Sequence, residues 1–149
     1  MPIRRKTMRI EGAKELDRVL KKLPKKIRGK VLRQALMAGA GVIRKAMRQR
    51  APVLTGKLKM SIAARRDRAA ERGGASVAVK VGPLGRGFYG MFTEFGTSRQ
   101  PARPWARPAF EESKRAALDK TGGQLGKAIE REAARLAGPR VRGKTRQRR

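Results

Sequence analysis

The chain of 149 residues contains no cysteine and no histidine, and only 11 of its residues are acidic. The lack of cysteine excludes a disulfide framework and a thiolate metal site. The lack of histidine removes the commonest general base and the commonest metal ligand. Aromatic residues make up 4% of the chain, so the core must be small and built mainly from Leu, Ile, Val, Met and Ala. We therefore predict a protein that is not an enzyme, without catalytic residues, cofactor or metal.

The few carboxylates are weak candidates for general acid or base chemistry. The close pairs Glu111/Glu112 and Glu130/Glu132 stand in helical, Lys/Arg-rich contexts, which is typical of helix-dipole and i,i+4 partners. Long apolar runs are also missing: none approaches the roughly 20 residues that span a bilayer, and no apolar segment follows the basic N-terminus as in a secretory signal. We expect no membrane partner and a protein that acts where it is made.

What the sequence has in excess is positive charge, with 40 Lys and Arg and a formal net charge of +29. Residues 18–66 hold 16 of these cations and no acid. A charge run is usually a solvated face, but solvated faces normally mix signs. We therefore predict a surface that faces nucleic acid through sequence-independent phosphate contacts. The predicted residues are Lys25, Lys26, Arg28, Lys30, Arg33, Arg44, Lys45, Arg48 and Arg50.

Periodicity predicts an α+β fold, in which long helices pack on a small antiparallel sheet. We expect an N-terminal arm or edge strand at 1–10, a single domain at 11–137 and a basic, disordered tail at 138–149. A short helix should end at Pro24, and a long one should run from about Lys25 to Arg50. Gly39 and Gly41 lie inside the long helix, and two explanations stay open: simple tolerance, or close approach of another backbone.

The second half of the domain has a mixed pattern. Alternation at 58–64 and 77–81 predicts two strands of an antiparallel hairpin around a polar loop. Phe88, Phe92 and Phe95 have helical spacing that Gly96 would close, while a third strand at 91–95 is the alternative. A last helix should start at Pro108, break at 121–123 and continue to about residue 137.

Four sequence blocks now stand in order: APVLTGKLKMSI at 51–62, VAVKVG at 77–82, FYGMFTEFGTSRQ at 88–100 and PARPWARPAF at 101–110. Together they resemble the gene-product-ten-like tail-component, or neck, family of long-tailed double-stranded DNA phages. The resemblance covers about residues 11–120. The matching positions are Pro52, Thr55, Gly56, Leu58, Gly82, Tyr89, Glu94, Phe95, Gly96, Thr97, Pro104, Trp105, Arg107, Pro108 and Ala109.

The resemblance implies a structural, non-enzymatic subunit of the virion head–tail junction that is assembled in the bacterial host cytoplasm. It implies a homo-oligomeric ring, a hexamer first and a dodecamer second, and docking to connector, tail-terminator or tail-tube proteins. Double-stranded DNA is a further partner, through phosphates. Three features depart from the family: Trp105 replaces the usual Phe, Thr121-Gly122-Gly123 interrupts a helix that is commonly continuous, and the charge is unusually high.

The segment after Phe92 is the predicted assembly element. Glu94 is the only acid between Glu71 and Glu111, and we expect it to pair with Arg99, Arg103 or Arg107. Trp105 and Phe110 are anchor-type side chains; they either dock a neighbour or pin the last helix, and both can hold. The predicted interface residues are Glu94, Phe95, Gly96, Thr97, Pro104, Trp105, Arg107 and Pro108.

The alternative function is that of a general, sequence-independent nucleic-acid-binding protein. Such a protein has no need of the proline-braced aromatic segment. A membrane-active cationic protein ranks third, because the sequence lacks the aromatic interfacial face of such helices.

Overall fold

The computed structural model describes residues 13–53, 55–73 and 77–136, without the side chains of Ala13, Leu16, Lys26, Arg86 and Leu136. The predicted arm at 1–10 and the predicted tail at 138–149 lie outside the described residues. In chain order the elements are α1 (Ala13–Lys21), α2 (Lys25–Arg50), α3 (Lys57–Ser61), β1 (Ile62–Arg66), α4 (Arg68–Arg72), β2 (Val79–Pro83), a 3-10 helix (Gly85–Tyr89), α5 (Gly90–Phe95) and α6 (Ala106–Leu136). The helices and the two-stranded antiparallel sheet confirm the predicted α+β class.

The two long helices α2 and α6 pack along each other and form the frame of the fold. Helix α2 follows Pro24 and ends at Arg50, as predicted. Ala51 has left the helical region, with ψ at 129°, because a residue before proline is disfavoured there and Pro52 comes next.

The core divides into two clusters along this frame. The first joins the end of the N-terminal helical region to both long helices and consists of Leu20, Leu23, Val31, Ala35 and Leu125. The second lies where α2, α3, β1 and the start of α6 meet and consists of Met47, Ala51, Leu58, Ile62, Trp105 and Ala109. The second cluster therefore fixes the position of the segment that the sequence singles out.

The prediction of a strand at 58–64 is wrong for its first half. Lys57–Ser61 forms helix α3, and the strand begins only at Ile62. Gly56, with a φ of 72°, reverses the chain before α3. Leu58 and Ile62 are both buried whereas Met60 is 80% exposed. Residues 58 and 62 differ by four, so they fit one helical face as well as alternate strand positions. Strand alternation would have turned Met60 inward.

The predicted antiparallel hairpin itself is confirmed, with β1 paired to β2 from Ile62↔Pro83 to Arg66↔Val79. Its connection is not wholly irregular, since it contains α4. The Asp67 carboxylate caps this turn by accepting hydrogen bonds from the Ala69 and Ala70 N–H groups at 3.1 and 3.3 Å.

The aromatic segment is helical, and the alternative of a third strand is wrong. A 3-10 turn leads into α5, which ends at Phe95 before Gly96. Gly96 has a φ of 76°, and a Cβ there would lie 2.7 Å from the Ala102 backbone nitrogen. Both the left-handed conformation and the close loop therefore demand glycine.

The predicted break at 121–123 is also wrong, because α6 runs without interruption from Ala106 to Leu136. Gly122 and Gly123 face open space, and each costs the helix about 1 kcal/mol relative to alanine. Leu125, one turn later, is buried in the first cluster. Tertiary packing on both sides of the glycines offsets their low propensity.

Helix α6 comes close to the backbone of α2 at Gly39. A Cβ at this position would clash with the Thr121 hydroxyl and lie 2.7 Å from the Ala117 carbonyl oxygen. At Gly41, by contrast, a Cβ would meet nothing within 4 Å. Of the two explanations that the sequence left open, close approach holds for Gly39 and tolerance for Gly41.

We predict opposite effects of alanine at these two glycines. Gly39→Ala should lower the free energy of unfolding by about 1–3 kcal/mol, because the methyl group pushes the helices apart. Gly41→Ala, the matched control in the same helix, should raise it by up to about 1 kcal/mol through helix propensity. Urea denaturation of both variants measures the difference. Equal stabilisation by both substitutions would contradict the close helix contact.

Candidate functional site

The Glu94 carboxylate, on α5, caps the N-terminus of α6. Its Oε2 accepts hydrogen bonds from the N–H groups of Trp105 and Ala106 at 2.6 and 2.8 Å. Its Oε1 accepts one from the N–H of Arg107 at 3.1 Å. The first N–H groups of a helix have no intrahelical acceptor, and the helix dipole places partial positive charge there. A single side chain thus satisfies three donors at the start of a helix that is separated from its own helix by ten residues.

This arrangement corrects the expected partner of Glu94. The carboxylate binds backbone N–H groups instead of forming an ion pair with Arg99, Arg103 or Arg107. Only Arg107 contributes, through its charge, and its guanidinium lies over the Phe95 ring, 4.9 Å from the centroid. The sequence correctly singled out this isolated carboxylate as structurally important. It could not show that the partners of Glu94 are backbone N–H groups, because every residue except proline carries such a group.

Burial and hydrogen bonding act in opposite directions on the ionisation of Glu94. Glu94 is only 6% exposed, and this desolvation raises the pKa of its carboxyl group. The three backbone hydrogen bonds and the Arg107 charge lower the pKa by more, so it lies below its usual range. The carboxylate is therefore held in its charged form, which is the form that caps the helix best.

Trp105 joins α5 to α6 a second time. Its indole Nε1 donates to the Gly90 carbonyl oxygen at 3.2 Å, and the side chain is buried in the second core cluster. A Cβ at Gly90 would lie 2.5 Å from Leu58 Cδ1 and 3.2 Å from Trp105 Cζ2, so α5 rests directly on these two side chains. Trp105 thus pins the last helix within its own chain, whereas Phe110 is exposed.

The loop between α5 and α6 is folded tightly on itself. Thr97 and Gln100 exchange backbone hydrogen bonds of 2.8 and 3.3 Å, and the Arg103 N–H donates to the Thr93 carbonyl oxygen at 2.8 Å. Pro104 precedes the buried Trp105. Pro108 stands in the first turn of α6, where a missing N–H costs no intrahelical bond. The predicted interface residues are therefore brought together. Glu94 binds the backbone of Trp105 and Arg107, whereas Trp105 also contacts core residues outside the predicted set.

The outward side of the same segment carries a row of exposed apolar side chains, which we call the aromatic ridge. Their exposed fractions range from 36% to 61%. The Phe88 and Phe92 rings meet edge to face, with centroids 6.0 Å apart. The ridge consists of Phe88, Tyr89, Met91, Phe92 and Phe95. Of these, only Phe95 was among the predicted interface residues, although the spacing of 88, 92 and 95 already indicated a common helical face.

The predicted nucleic-acid-facing residues fall into three groups. Lys25, Lys30, Arg44 and Lys45 are exposed, Arg28 is half-buried, and none of the five forms an ion pair with another described residue.

The second group is engaged within the chain. Arg48 donates twice to the Ile62 carbonyl oxygen, at 3.1 and 2.8 Å, and Arg50 forms a two-pronged pair with Glu112. Arg33 lies near Glu71, and its buried Nε has no hydrogen-bond partner among the described residues. The third group is Lys26, whose side chain lies outside the described residues.

The described part of the chain offers no metal cluster of His, Cys, Asp or Glu. Within the same ranges, no helix combines the length and apolar character that a bilayer span requires. What the site does offer is an exposed apolar surface on the 3-10 helix and α5, which Glu94 and Trp105 clamp to the rest of the chain. Such a surface is suited to contact with protein.

Comparison with known proteins identifies the class of this arrangement. The family model of the HK97-gp10-like proteins, described as "Bacteriophage HK97-gp10, putative tail-component", matches residues 14–96. The chain belongs to this family of phage tail components, which is not an enzyme family. The matched range ends at Gly96, so Trp105 and the start of α6 lie beyond it. No curated protein and no solved structure matches the chain significantly.

We predict that Glu94→Gln lowers the free energy of unfolding by about 1–2 kcal/mol at pH 7, because the amide loses the charge-assisted part of three hydrogen bonds. The folded-state pKa of Glu94 is depressed. The stabilisation is therefore fully present above the unfolded pKa of about 4.3 and disappears as the pH falls through the folded pKa. Denaturation curves between pH 3 and 7 measure this.

The matched control for this experiment is Glu111→Gln. Glu111 is an exposed carboxylate in the second turn of the same helix, paired with Lys114, and its loss should cost less than about 1 kcal/mol. If wild type and Glu94→Gln are equally stable at pH 7, the cap does not hold α5 to α6.

Proposed function

We propose that this phage tail component is a neck or tail-completion subunit. In this proposal it is assembled in the host cytoplasm, forms a homo-oligomeric ring at the head–tail junction of the virion and docks on connector, tail-terminator or tail-tube proteins. A basic surface faces the DNA path. The observation that carries the proposal is the aromatic ridge, because exposed apolar side chains on a rigid support are a feature of protein interfaces.

Rigidity of the ridge supports an assembly role. A flexible apolar segment would lose conformational entropy on docking, whereas a preorganised one loses little. Glu94 and Trp105 fix α5 before any partner binds, and the loop hydrogen bonds close the segment at its far end. The predicted interface residues thus act by holding the ridge in place, and Phe95 also contributes contact surface.

The free cations of α2 support the second part of the proposal. Lys30 and Arg44 are exposed and separated by about 21 Å of helix at about 1.5 Å per residue. Arg65 and Lys80 add a directly opposed pair on the hairpin, an arrangement that destabilises a sheet unless an anion relieves it. These contacts would reach phosphates and carry no sequence information.

The alternative is a free-standing, sequence-independent nucleic-acid-binding protein. The net charge of +29 favours it, and the two functions share the same basic residues. They differ at the ridge. A protein that only binds phosphates does not need five exposed apolar side chains on the 3-10 helix and α5. Family membership also favours the structural role.

We predict that the purified protein forms closed rings, with a hexamer as the first expectation and a dodecamer as the second. Native mass spectrometry at physiological ionic strength gives the stoichiometry, and two-dimensional class averages show whether the particle is closed. Ring formation should be strengthened by added salt, since salt screens repulsion between highly charged subunits. A protein that stays monomeric alone and in the virion would refute the ring.

For the basic surface, we predict weak, sequence-independent binding to duplex DNA that depends steeply on salt. The triple variant Lys30→Gln/Arg44→Gln/Lys45→Gln should flatten the plot of log affinity against log salt by about 0.9 for each lost phosphate contact. The matched control is Arg115→Gln/Lys120→Gln/Lys127→Gln, which removes the same charge from exposed positions of α6. If both triples lower the slope equally, net charge and not the α2 surface governs binding.

A further inference from the structure

A second, mainly apolar surface lies between α2, β2 and α6. It is an open groove with a volume of about 350 Å³. One side of the groove is lined by valines of the hairpin, and the other sides are lined by residues of α2 and α6. Its principal apolar lining residues, which define the helix–strand groove, are Leu36, Ile43, Val79, Val81, Phe110 and Leu118. The only charged side chain among the described lining residues is Lys114, which is paired with Glu111.

We propose that the aromatic ridge of one copy packs into the helix–strand groove of the next copy. This inference rests on the proposed ring, because it takes the partner of the ridge to be a second molecule of the same chain. It goes further in assigning the two surfaces that meet. Of the groove residues, the sequence had indicated only Phe110, as an anchor-type side chain.

The distribution of charge permits a second copy as the occupant of the groove and disfavours an acidic protein there. Two molecules with a net charge of +29 each repel one another, so they can meet closely only where neither presents unpaired charge. The carboxylate of Glu94 points inward to the α6 backbone, and the exposed ridge side chains themselves carry no charge. The guanidinium of Arg107 lies over the Phe95 ring, so the part of the ridge that meets this condition is the pair of Phe88 and Phe92. The groove satisfies it too. An acidic partner protein would instead be drawn to the exposed cations of α2 and of the hairpin.

The volume of the groove is also compatible with the side chains of the ridge. A cavity of about 150 Å³ accommodates a benzene ring, so a groove of about 350 Å³ has room for two. The edge-to-face pair of Phe88 and Phe92 presents two adjacent rings. At 150–250 Å² for a whole aromatic side chain, the half-exposed ridge offers roughly 400 Å², about half of one side of a standard interface.

The contact uses two different surfaces of each molecule, which leads to a mixing experiment. The ridge variant Phe88→Ser/Phe92→Ser and the groove variant Leu118→Glu each lose one surface and keep the other. All substituted side chains are at least 37% exposed, so circular dichroism and thermal unfolding should show folded proteins. We expect both variants alone to lose the assembly seen for wild type by native mass spectrometry. Mixed together, they should recover pairs containing one copy of each and stop there.

Two groove controls separate shape from charge. Leu118→Met keeps an apolar side chain of similar volume and should assemble like wild type. Lys120→Gln changes the net charge by the same amount as Leu118→Glu, at an exposed position of α6 outside the groove, and should also assemble. Loss of assembly in Lys120→Gln would show that charge, not the groove, controls association, and would overturn the inference.

Cysteine chemistry locates the contact directly, because the chain has no native thiol. Copies with Phe92→Cys mixed with copies with Leu118→Cys should form a disulfide-linked heterodimer under mild oxidation. The pair Phe92→Cys and Lys120→Cys is the control and should give only background cross-linking. Equal cross-linking in both pairs overturns the inference.

The outcomes distinguish this inference from the proposed ring. If wild type forms rings while Leu118→Glu assembles normally, the ring stands and the groove contact is wrong. If wild type stops at dimers that cross-link from ridge to groove, the contact stands and the ring is wrong. If wild type is monomeric and the ridge is covered only by another tail protein, both are wrong.

Discussion

One carboxylate determines how the candidate site of this protein is built. Glu94 is buried in a chain with very few acids, and it accepts three hydrogen bonds from the backbone at the start of α6. Without it, the N-terminus of the longest helix would bury donors without acceptors, at a cost comparable to that of whole hydrogen bonds. The same contact brings Trp105 under α5 and turns the aromatic ridge outward. The start of α6, the position of Trp105 in the core and the exposure of the aromatic ridge therefore all depend on the Glu94 side chain.

The large positive charge is distributed in a way that agrees with this construction. Some cations bind groups within the chain: Arg48 donates to the Ile62 carbonyl oxygen, and Arg50 pairs with Glu112. Others, such as Lys30 and Arg44, remain free on the exposed side of α2. Charge is absent from the exposed side chains of the ridge and nearly absent from the lining of the groove. The molecule thus separates surfaces suited to polyanions from surfaces suited to apolar contact, which is why composition alone predicts the first and not the second.

Local signals in the sequence predicted the long helix α2, with a proline beside each end, and the antiparallel hairpin. They also predicted that the aromatic helix α5 ends at Gly96. These local signals gave wrong predictions where contacts between distant parts of the chain determine the structure. Leu58 and Ile62 fit a strand face and a helix face equally, and only the burial of both beside an exposed Met60 separates the two. Gly122 and Gly123 weaken a helix that Leu125 nevertheless anchors. The partners of Glu94 lie 11–13 residues away in the backbone, and a groove formed by three elements has no linear pattern.

The closed loop between α5 and α6 has a consequence for how this protein can diversify. Its two ends are fastened independently, by Gly96 with its special backbone conformation and by the Arg103 N–H on the Thr93 carbonyl oxygen. Ser98, Arg99, Gln100 and Pro101 at the tip are exposed, and their side chains carry none of the clamp. Substitutions of these side chains can therefore accumulate without moving either helix. A lineage of such proteins could adapt this tip to new neighbours while the two helices keep their mutual geometry.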